Sequence, residues 1–231
     1  MKRLVLFDID GTLLTARSAP RRAFTRAMLD VYGTTGPIDS HRFDGKTDPQ
    51  IARELLTLAG FDNAVISAGL EALWQAYVNG LRQELAAPDH ATHVFPGIRT
   101  LLTALESMPD DAVLGLLTGN IRAGADLKLR SASLDYSFRV GAFGSDCERR
   151  DGLPPVAVAR ARDLVGVTFH RDEVVIIGDT PSDVTCGQAL GVRAIAVATG
   201  GYSAEELDQA GAHTVFTDLT ATDRVLDAIL A

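Results

Sequence analysis

The sequence predicts an α/β protein, a doubly wound (Rossmann-like) parallel sheet with an all-helical domain inserted after its first strand. Three observations lead there. From Pro96 onward, short apolar runs alternate with helical patterns of about ten residues, the rhythm of parallel strands covered on both faces. The first apolar run, Leu4 to Phe7, is separated from that alternation by a stretch, 15–92, with helical periodicity. Three of the apolar runs end in polar, turn-prone residues: Asp8-Ile-Asp10-Gly-Thr12, Thr118-Gly-Asn120 and Gly178-Asp-Thr-Pro-Ser-Asp183. In a doubly wound sheet such strand ends lie along one edge, where ligands bind.

Leu4 to Phe7 is uninterrupted in its apolar character, as expected of a strand buried on both faces. From Ala19 to Tyr32, Phe24, Ala27, Met28 and Val31 recur at helical spacing, with Gly33 as the stop. A turn-rich loop runs to Thr47, and Asp48-Pro49 reads as an N-cap followed by proline at the first helical position. That helix carries Ile51, Leu55 and Leu58 and ends at Gly60. The strongest helical pattern follows: Leu70, Leu73, Trp74, Tyr77, Val78, Leu81 and Leu85, in which Trp74 and Tyr77 read as core residues. No strand is expected between residues 15 and 92. The expected boundaries are therefore 1–14 with 93–231 for the sheet domain, and 15–92 for the helical one.

In the second part, Ile98, Leu101, Leu102 and Leu105 mark a helix, and Ala112 to Leu117 a strand that ends in Thr118-Gly-Asn120. Ile121 to Arg130 is helical, and a weaker strand is expected near Phe138 to Gly141. Pro155 to Val165 is helical and Glu173 to Ile177 a strand. After Asp183 come a helix over 182–190, a strand from Ala194 to Ala198, a helix from Ser203 to Ala210 and a short strand, Thr214 to Phe216. A last helix starts near Asp218.

With 46% hydrophobic and 23% charged residues, the 231-residue chain has the composition of a folded globular protein. Its net charge of −8 argues against nucleic-acid partners and against binding to anionic membranes. No apolar run approaches the roughly 20 residues that span a bilayer, and no signal-peptide pattern precedes the first strand. Cys147 and Cys186 lack metal or CxxC spacing and read as free thiols of a cytoplasmic protein. Only Lys2, Lys46 and Lys128 among the 22 basic residues are lysines, so an interior lysine invites a specific role.

The three strand ends bring four carboxylates to one edge: Asp8, Asp10, Asp179 and Asp183. Clustered acids repel unless a cation or a proton lies between them. Hard oxygen ligands without His or Cys suit Mg²⁺, and none of the five histidines falls in these motifs. Around such an ion, Asp8 could attack phosphorus to form an aspartyl-phosphate. Asp10 could protonate the leaving alkoxide and then activate water. Thr118 offers a hydroxyl, while Gly11, Thr12, Gly119 and Asn120 supply turn residues and backbone N–H groups for a bound phosphate. What these motifs lack is a fixed positive charge for a phosphoryl oxygen.

Asp8-x-Asp10-Gly-Thr-Leu, a hydrophobic strand ending in Thr118-Gly-Asn, and Gly178-Asp-Thr-x-x-Asp183 resemble motifs I, II and IV of the haloacid dehalogenase-like hydrolase superfamily. The resemblance spans residue 4 to about 200. The helical insert is similar to the C1 cap of its phosphoglycolate phosphatase-like branch. The resemblance implies Asp8 as nucleophile and Asp10 as general acid/base. It also implies Mg²⁺ held by Asp8, the Asp10 carbonyl and Asp179, with Asp183 in support, and Thr118 on the phosphoryl group. Motif III departs from the family pattern: where relatives usually carry Lys-Pro-x-Pro, this chain has Arg150-Asp-Gly-Leu-Pro-Pro155, with the lysine position near Gly152. Lys128, on the helix directly after motif II, is the candidate for the missing cation, with Arg149 or Arg150 as the fallback. Lys46, in the insert's Gly45-Lys46-Thr47-Asp48 loop, is the candidate contact for a second anionic group on the substrate.

Asp10 separates reaction classes, because in this superfamily the dehalogenases lack that acid and the phosphonatases replace it with a small residue. The resemblance thus implies an Mg²⁺-dependent phosphatase acting on a small phosphorylated metabolite, phosphoglycolate-like or a sugar phosphate. The alternative within enzymes is a phosphomutase of the β-phosphoglucomutase type, which also keeps Asp10. The alternative in another class is a non-catalytic, receiver-like phosphate-binding module. The length, the insert and the Gly-Asp-Thr-x-x-Asp motif count against the receiver.

Overall fold

The computed structural model describes residues 2–134 and 138–231. In chain order the elements are β1 (Arg3–Phe7), β2 (Leu14–Thr15), α1 (Ala19–Tyr32), α2 (Asp48–Leu58), α3 (Asn63–Leu85) and β3 (His93–Val94). Then follow α4 (Ile98–Glu106), β4 (Ala112–Thr118), α5 (Arg122–Ser131), β5 (Val140–Phe143), α6 (Leu153–Val165) and β6 (Val174–Gly178). The chain ends with α7 (Pro181–Leu190), β7 (Arg193–Val197), α8 (Ala204–Gln209), β8 (Thr214–Phe216) and α9 (Thr222–Leu230).

Six strands form one all-parallel sheet in the order β5-β4-β1-β6-β7-β8. Burial explains the unbroken apolar runs. Val5 and Phe7 of β1, Leu114 and Leu116 of β4, and Val175 and Ile177 of β6 pack on one face, with residues of α4, α5 and α9. Leu4, Leu6, Val113, Leu117, Val174 and Ile176 pack on the other, with residues of α6 and α7. Because a strand alternates faces, a sheet covered on both sides leaves no position for a polar residue until the strand ends. The strand order also reverses about β1: the chain moves outward to β4 and β5, then returns to β6 on the opposite side of β1. The carboxyl ends of β1, β4 and β6 meet at that switch point.

Helices α1, α2 and α3 make a separate core around Phe24, Met28, Leu55, Leu73 and Tyr77, with Phe24 edge-on to both Phe43 and Tyr77. Ile121, at the start of α5, joins this core and so ties it to the sheet domain. Three features differ from the sequence expectation. Leu14–Thr15 and His93–Val94 pair as a two-stranded antiparallel ribbon where the helical insert begins and ends, so the insert is bracketed by strand pairing that two-residue segments are too short to advertise. The N-cap of α2 is Thr47 rather than Asp48: the Thr47 hydroxyl accepts the Gln50 amide at 3.1 Å, which leaves the Asp48 carboxylate for another partner. The last helix begins at Thr222, four residues beyond Asp218; the Asp218 carboxylate instead accepts the Thr220 N–H at 2.8 Å, holding those residues in a turn. Among the described residues no helix is long and apolar enough to cross a membrane, and both cysteines are free thiols.

Candidate active site

The switch point gathers the chemistry. Asp8 follows the last residue of β1, and its amide donates to the Ile177 carbonyl of β6 at 2.9 Å, so the sheet hydrogen bonding fixes its position. Gly11 turns the chain at φ +87°, and a Cβ there would overlap the Asp179 carboxylate. Gly200, in the loop after β7, approaches the same carboxylate as closely. Glycine at both positions lets two backbones close on Asp179. The Thr12 hydroxyl donates to Asp179 at 2.9 Å, orienting its carboxylate. Asp183 is in the first turn of α7, where its carboxylate accepts the Thr180 amide at 3.0 Å and the Thr180 hydroxyl at 2.7 Å, in a capping box with Thr180 as N-cap.

Asp8, Asp179 and Asp183 are all buried and offer oxygens within 4.8 Å of one another. Burial, then the opposing attraction of Arg150, then repulsion from Asp183 and Asp10, leave the Asp8 carboxyl raised to about 6. Asp179 is pushed up to about 8, first by burial and then by Asp8 and Asp183. Three acids so placed favour a positive charge between them. Oxygen-only donors, two of them with raised proton affinity, fit a hard divalent cation, and Mg²⁺ suits such ligands.

The structure brings both proposed cations to this edge, on opposite acids. Arg150 is buried, bonds to Asp183 and lies 3.1 Å from Asp8. It stands two residues before the expected lysine position, in a 3₁₀ turn that leads into α6. Among the described residues its Nε has no partner; burial works against its charge, but the carboxylates of Asp183 and Asp8 outweigh that and hold the guanidinium firmly protonated. Lys128 projects from α5, buried, with its ammonium 2.6 Å from Asp10 and 2.6 Å from the Asn120 side-chain oxygen. Asn120 in turn donates to Asp10 and to the Thr118 hydroxyl, each at 2.7 Å. Arg149 points away, paired with Asp151 on the surface.

A cavity of about 270 Å³ opens over this cluster, lined by Asp8, Asp10, Thr118, Lys128 and Arg150 from the sheet domain. Its other wall comes from the helical insert and includes Phe24, Lys46, Asp48 and Tyr77. The two walls are bonded together. The Asp48 amide donates to the Gly119 carbonyl and its carboxylate accepts the Ile121 amide, both at 2.8 Å. A Cβ on Gly119 would strike the Lys46 carbonyl, so the close approach depends on that glycine. Burial raises the Asp48 carboxyl to about 6, with Lys128 and the Ile121 amide opposing the shift.

Lys46 lines the cavity, but its ammonium is 2.5 Å from Glu54 and 3.2 Å from His41, so much of its charge is already answered. Sequence reasoning did not single out Arg17. It lines the same cavity with its backbone in the left-handed region, at φ 53°, a state that no residue pattern reports. It also treated Tyr77 as core alone, since a phenol on an apolar helical stripe looks like any other core aromatic.

A family model described as haloacid dehalogenase-like hydrolase matches residues 5–197. A phosphoglycolate phosphatase of Pseudomonas syringae pv. tomato is 26% identical over 205 residues, covering 87% of this chain and 71% of its own length. The 2-deoxyglucose-6-phosphate phosphatase 1 of Saccharomyces cerevisiae is 25% identical over 232 residues, covering 94% and 88%. A crystal structure of a hydrolase from Pseudomonas syringae superposes with a TM-score of 0.74 at 21% identity, covering both chains completely, which establishes a shared fold. With its motifs gathered at the switch point and the family match running through nearly all of the sheet, this chain belongs to the haloacid dehalogenase-like hydrolases.

Proposed function

We propose that the protein is a phosphatase that hydrolyses a small phosphomonoester through an aspartyl-phosphate on Asp8, with Mg²⁺ as its cofactor. The observation that carries this reading is the division of labour between two acids two residues apart. Asp8 is buried among acids and beside Arg150, whereas Asp10 reaches the cavity with its side chain 43% exposed and is held by Lys128 and Asn120. An Asp8 oxygen forms the bond to phosphorus as the ester oxygen leaves. Asp10 gives the departing alkoxide a proton, then takes one from the water that attacks the same phosphorus and frees Asp8. Thr118 and the backbone N–H groups of Gly119 and Asn120 receive phosphoryl oxygens. Arg150 and Lys128 supply fixed positive charge from either side.

Asp8, Asp179 and Asp183, with the Asp10 carbonyl, are the residues that would hold Mg²⁺, and the bound ion would neutralise charge on the transferring group. In this reading residues 15–92 act as a cap over the domain made of 1–14 and 93–231, and the phosphatase names of the relatives support the ester as substrate. The cavity volume fits a small metabolite. Asp8→Asn should abolish turnover of p-nitrophenyl phosphate while circular dichroism and the melting transition remain those of a folded protein. Retained activity would reject the covalent mechanism. Activity of the unsubstituted protein that survives exhaustive EDTA treatment would reject the metal.

A further inference from the structure

Most polar side chains around the cavity are satisfied by a neighbour, as buried groups should be. Lys46 has Glu54, Lys128 has Asp10 and Asn120, and the terminal nitrogen of Arg150 has Asp8 and Asp183, its Nε being unpartnered among the described residues. Tyr77 differs. Its residue is 2% exposed, with its ring edge-on to Phe24 at 5.6 Å and its edge 3.4 Å from where a Cβ on Gly124 of α5 would lie. It lines the cavity with Asp10, Asp48 and Lys128; no hydrogen bond of its hydroxyl is found among the described residues, yet the hydroxyl is not one of the fully enclosed atoms left without a partner, so it is reached from the cavity. Tyr32, on α1, shows the ordinary arrangement: its hydroxyl donates to the Ile66 carbonyl at 2.6 Å. A buried phenol usually finds a partner because an unmade hydrogen bond is costly. Among the described residues the buried phenol of Tyr77 has no protein partner, and it lines the cavity.

The location of Tyr77 limits what that partner can be. The phosphoryl group is accounted for at the sheet edge by Thr118, the amides after it and Arg150. Tyr77 arrives from α3 on the opposite wall, among Phe24, Phe43 and Ile51. Burial, with Asp48 and Asp10 nearby, raises its pKa well above the usual phenol value, so it keeps its proton and acts as a donor. We propose that Tyr77 is a specificity-determining residue whose hydroxyl donates to an acceptor oxygen, a hydroxyl or a carboxylate, on the organic half of the substrate. This rests on the phosphatase reading and adds to it the class of leaving group.

The test is Tyr77→Phe, which keeps the ring and its packing. The kcat/KM is measured on phenyl phosphate, which has no such oxygen, and on glycerol 3-phosphate and phosphoglycolate, which carry a hydroxyl and a carboxylate. Loss of one hydrogen bond to a bound substrate should lower kcat/KM about 10- to 100-fold on at least one oxygen-bearing ester. Phenyl phosphate should change by less than about twofold, because it never made the bond. Which oxygen-bearing ester suffers identifies the acceptor. An equal loss on phenyl phosphate, or no loss on any ester, overturns the assignment. So does an unsubstituted enzyme that prefers phenyl phosphate over both oxygen-bearing esters, and in that case the phosphatase reading stands. Failure of the unsubstituted enzyme on every ester would instead remove the reading on which the assignment rests.

Discussion

Asp8 and Asp10 leave the same strand two residues apart and enter opposite environments. Asp8 is enclosed with Asp179 and Asp183, three acids against the single guanidinium of Arg150. Asp10 faces the cavity, paired with the ammonium of Lys128 and a donor from Asn120. One side of the site therefore stores unbalanced negative charge and the other is locally neutral. A buried cluster of like charges is a poor way to stabilise a fold and a good way to hold a cation. The contrast separates a half that should respond to pH and metal from a half that should respond mainly through the chemistry.

The largest expected difference concerns that stored charge. The folded-state carboxyls of Asp8 and Asp179 are raised to about 6 and about 8, whereas unfolded aspartates titrate near 4. The folded protein therefore binds more protons than the unfolded chain through this window. Linkage then makes its stability fall as pH rises from about 4 to about 8. A tenfold difference in proton affinity between the folded and unfolded states is worth about 1.4 kcal/mol, so affinities raised about 10²-fold at Asp8 and 10⁴-fold at Asp179 together amount to roughly 8 kcal/mol for the metal-free protein. Thermal melts in EDTA across this range should show the decline, and saturating Mg²⁺ should flatten it. A metal-free melting temperature that rises through the window would contradict the charge imbalance.

Next in size is Arg150→Met. Removal of the one cation bonded to both Asp8 and Asp183 leaves their charges uncompensated, and breaking a buried ion pair costs about 3–5 kcal/mol. The loss should appear as a lower melting temperature in EDTA and should be partly recovered by Mg²⁺, which would balance the same acids. The same substitution should lower kcat more than it raises KM, since the guanidinium lies beside Asp8, the proposed nucleophile.

This imbalance shows how far the sequence could be read. Strand runs that end in Asp8, Thr118 and Asp179 are legible because a sheet buried on both faces tolerates no polar residue before the strand ends. Their convergence follows from strand order at the switch point. The positive charge was harder to assign. Lys128 stands out because lysine is rare in this chain, but Arg150 is one of many arginines and precedes a Leu-Pro-Pro segment in place of the family's lysine motif. Only the 3₁₀ turn before α6 turns its side chain inward. Tyr77 lies on a helical stripe whose periodicity reports burial but not whether the buried surface is protein or cavity. The Asp48 bridge to Gly119 and Ile121 joins positions far apart in sequence, and the capping signal of Asp48-Pro49 pointed to a local role. Local patterns fix the acids, whereas the groups that answer them depend on tertiary approach.

The smallest stability effect, and the cleanest separation of the two halves, is expected from Lys128→Met. The lysine is buried, but its carboxylate partner is 43% exposed, so water takes over part of the lost interaction. After that discount, destabilisation of about 1–2 kcal/mol is expected, less than for Arg150→Met and insensitive to Mg²⁺, because the Asp10 carboxylate is not one of the clustered acids. Activity should fall further than stability. The ammonium holds both the Asp10 carboxylate and the Asn120 side chain, and Asn120 in turn bonds Thr118, so one substitution loosens the proposed acid/base and the proposed phosphoryl-binding hydroxyl together. A loss of about 10²-fold in kcat, typical of a disturbed general acid/base, is the expected outcome. Lys128→Arg should not restore it, since a forked guanidinium does not fit between two oxygens that a single ammonium contacts at 2.6 Å. Melts with and without Mg²⁺ beside steady-state kinetics decide the matter: if Mg²⁺ rescues the stability of Lys128→Met as it rescues Arg150→Met, the two halves are one electrostatic unit and the contrast between Asp8 and Asp10 does not hold.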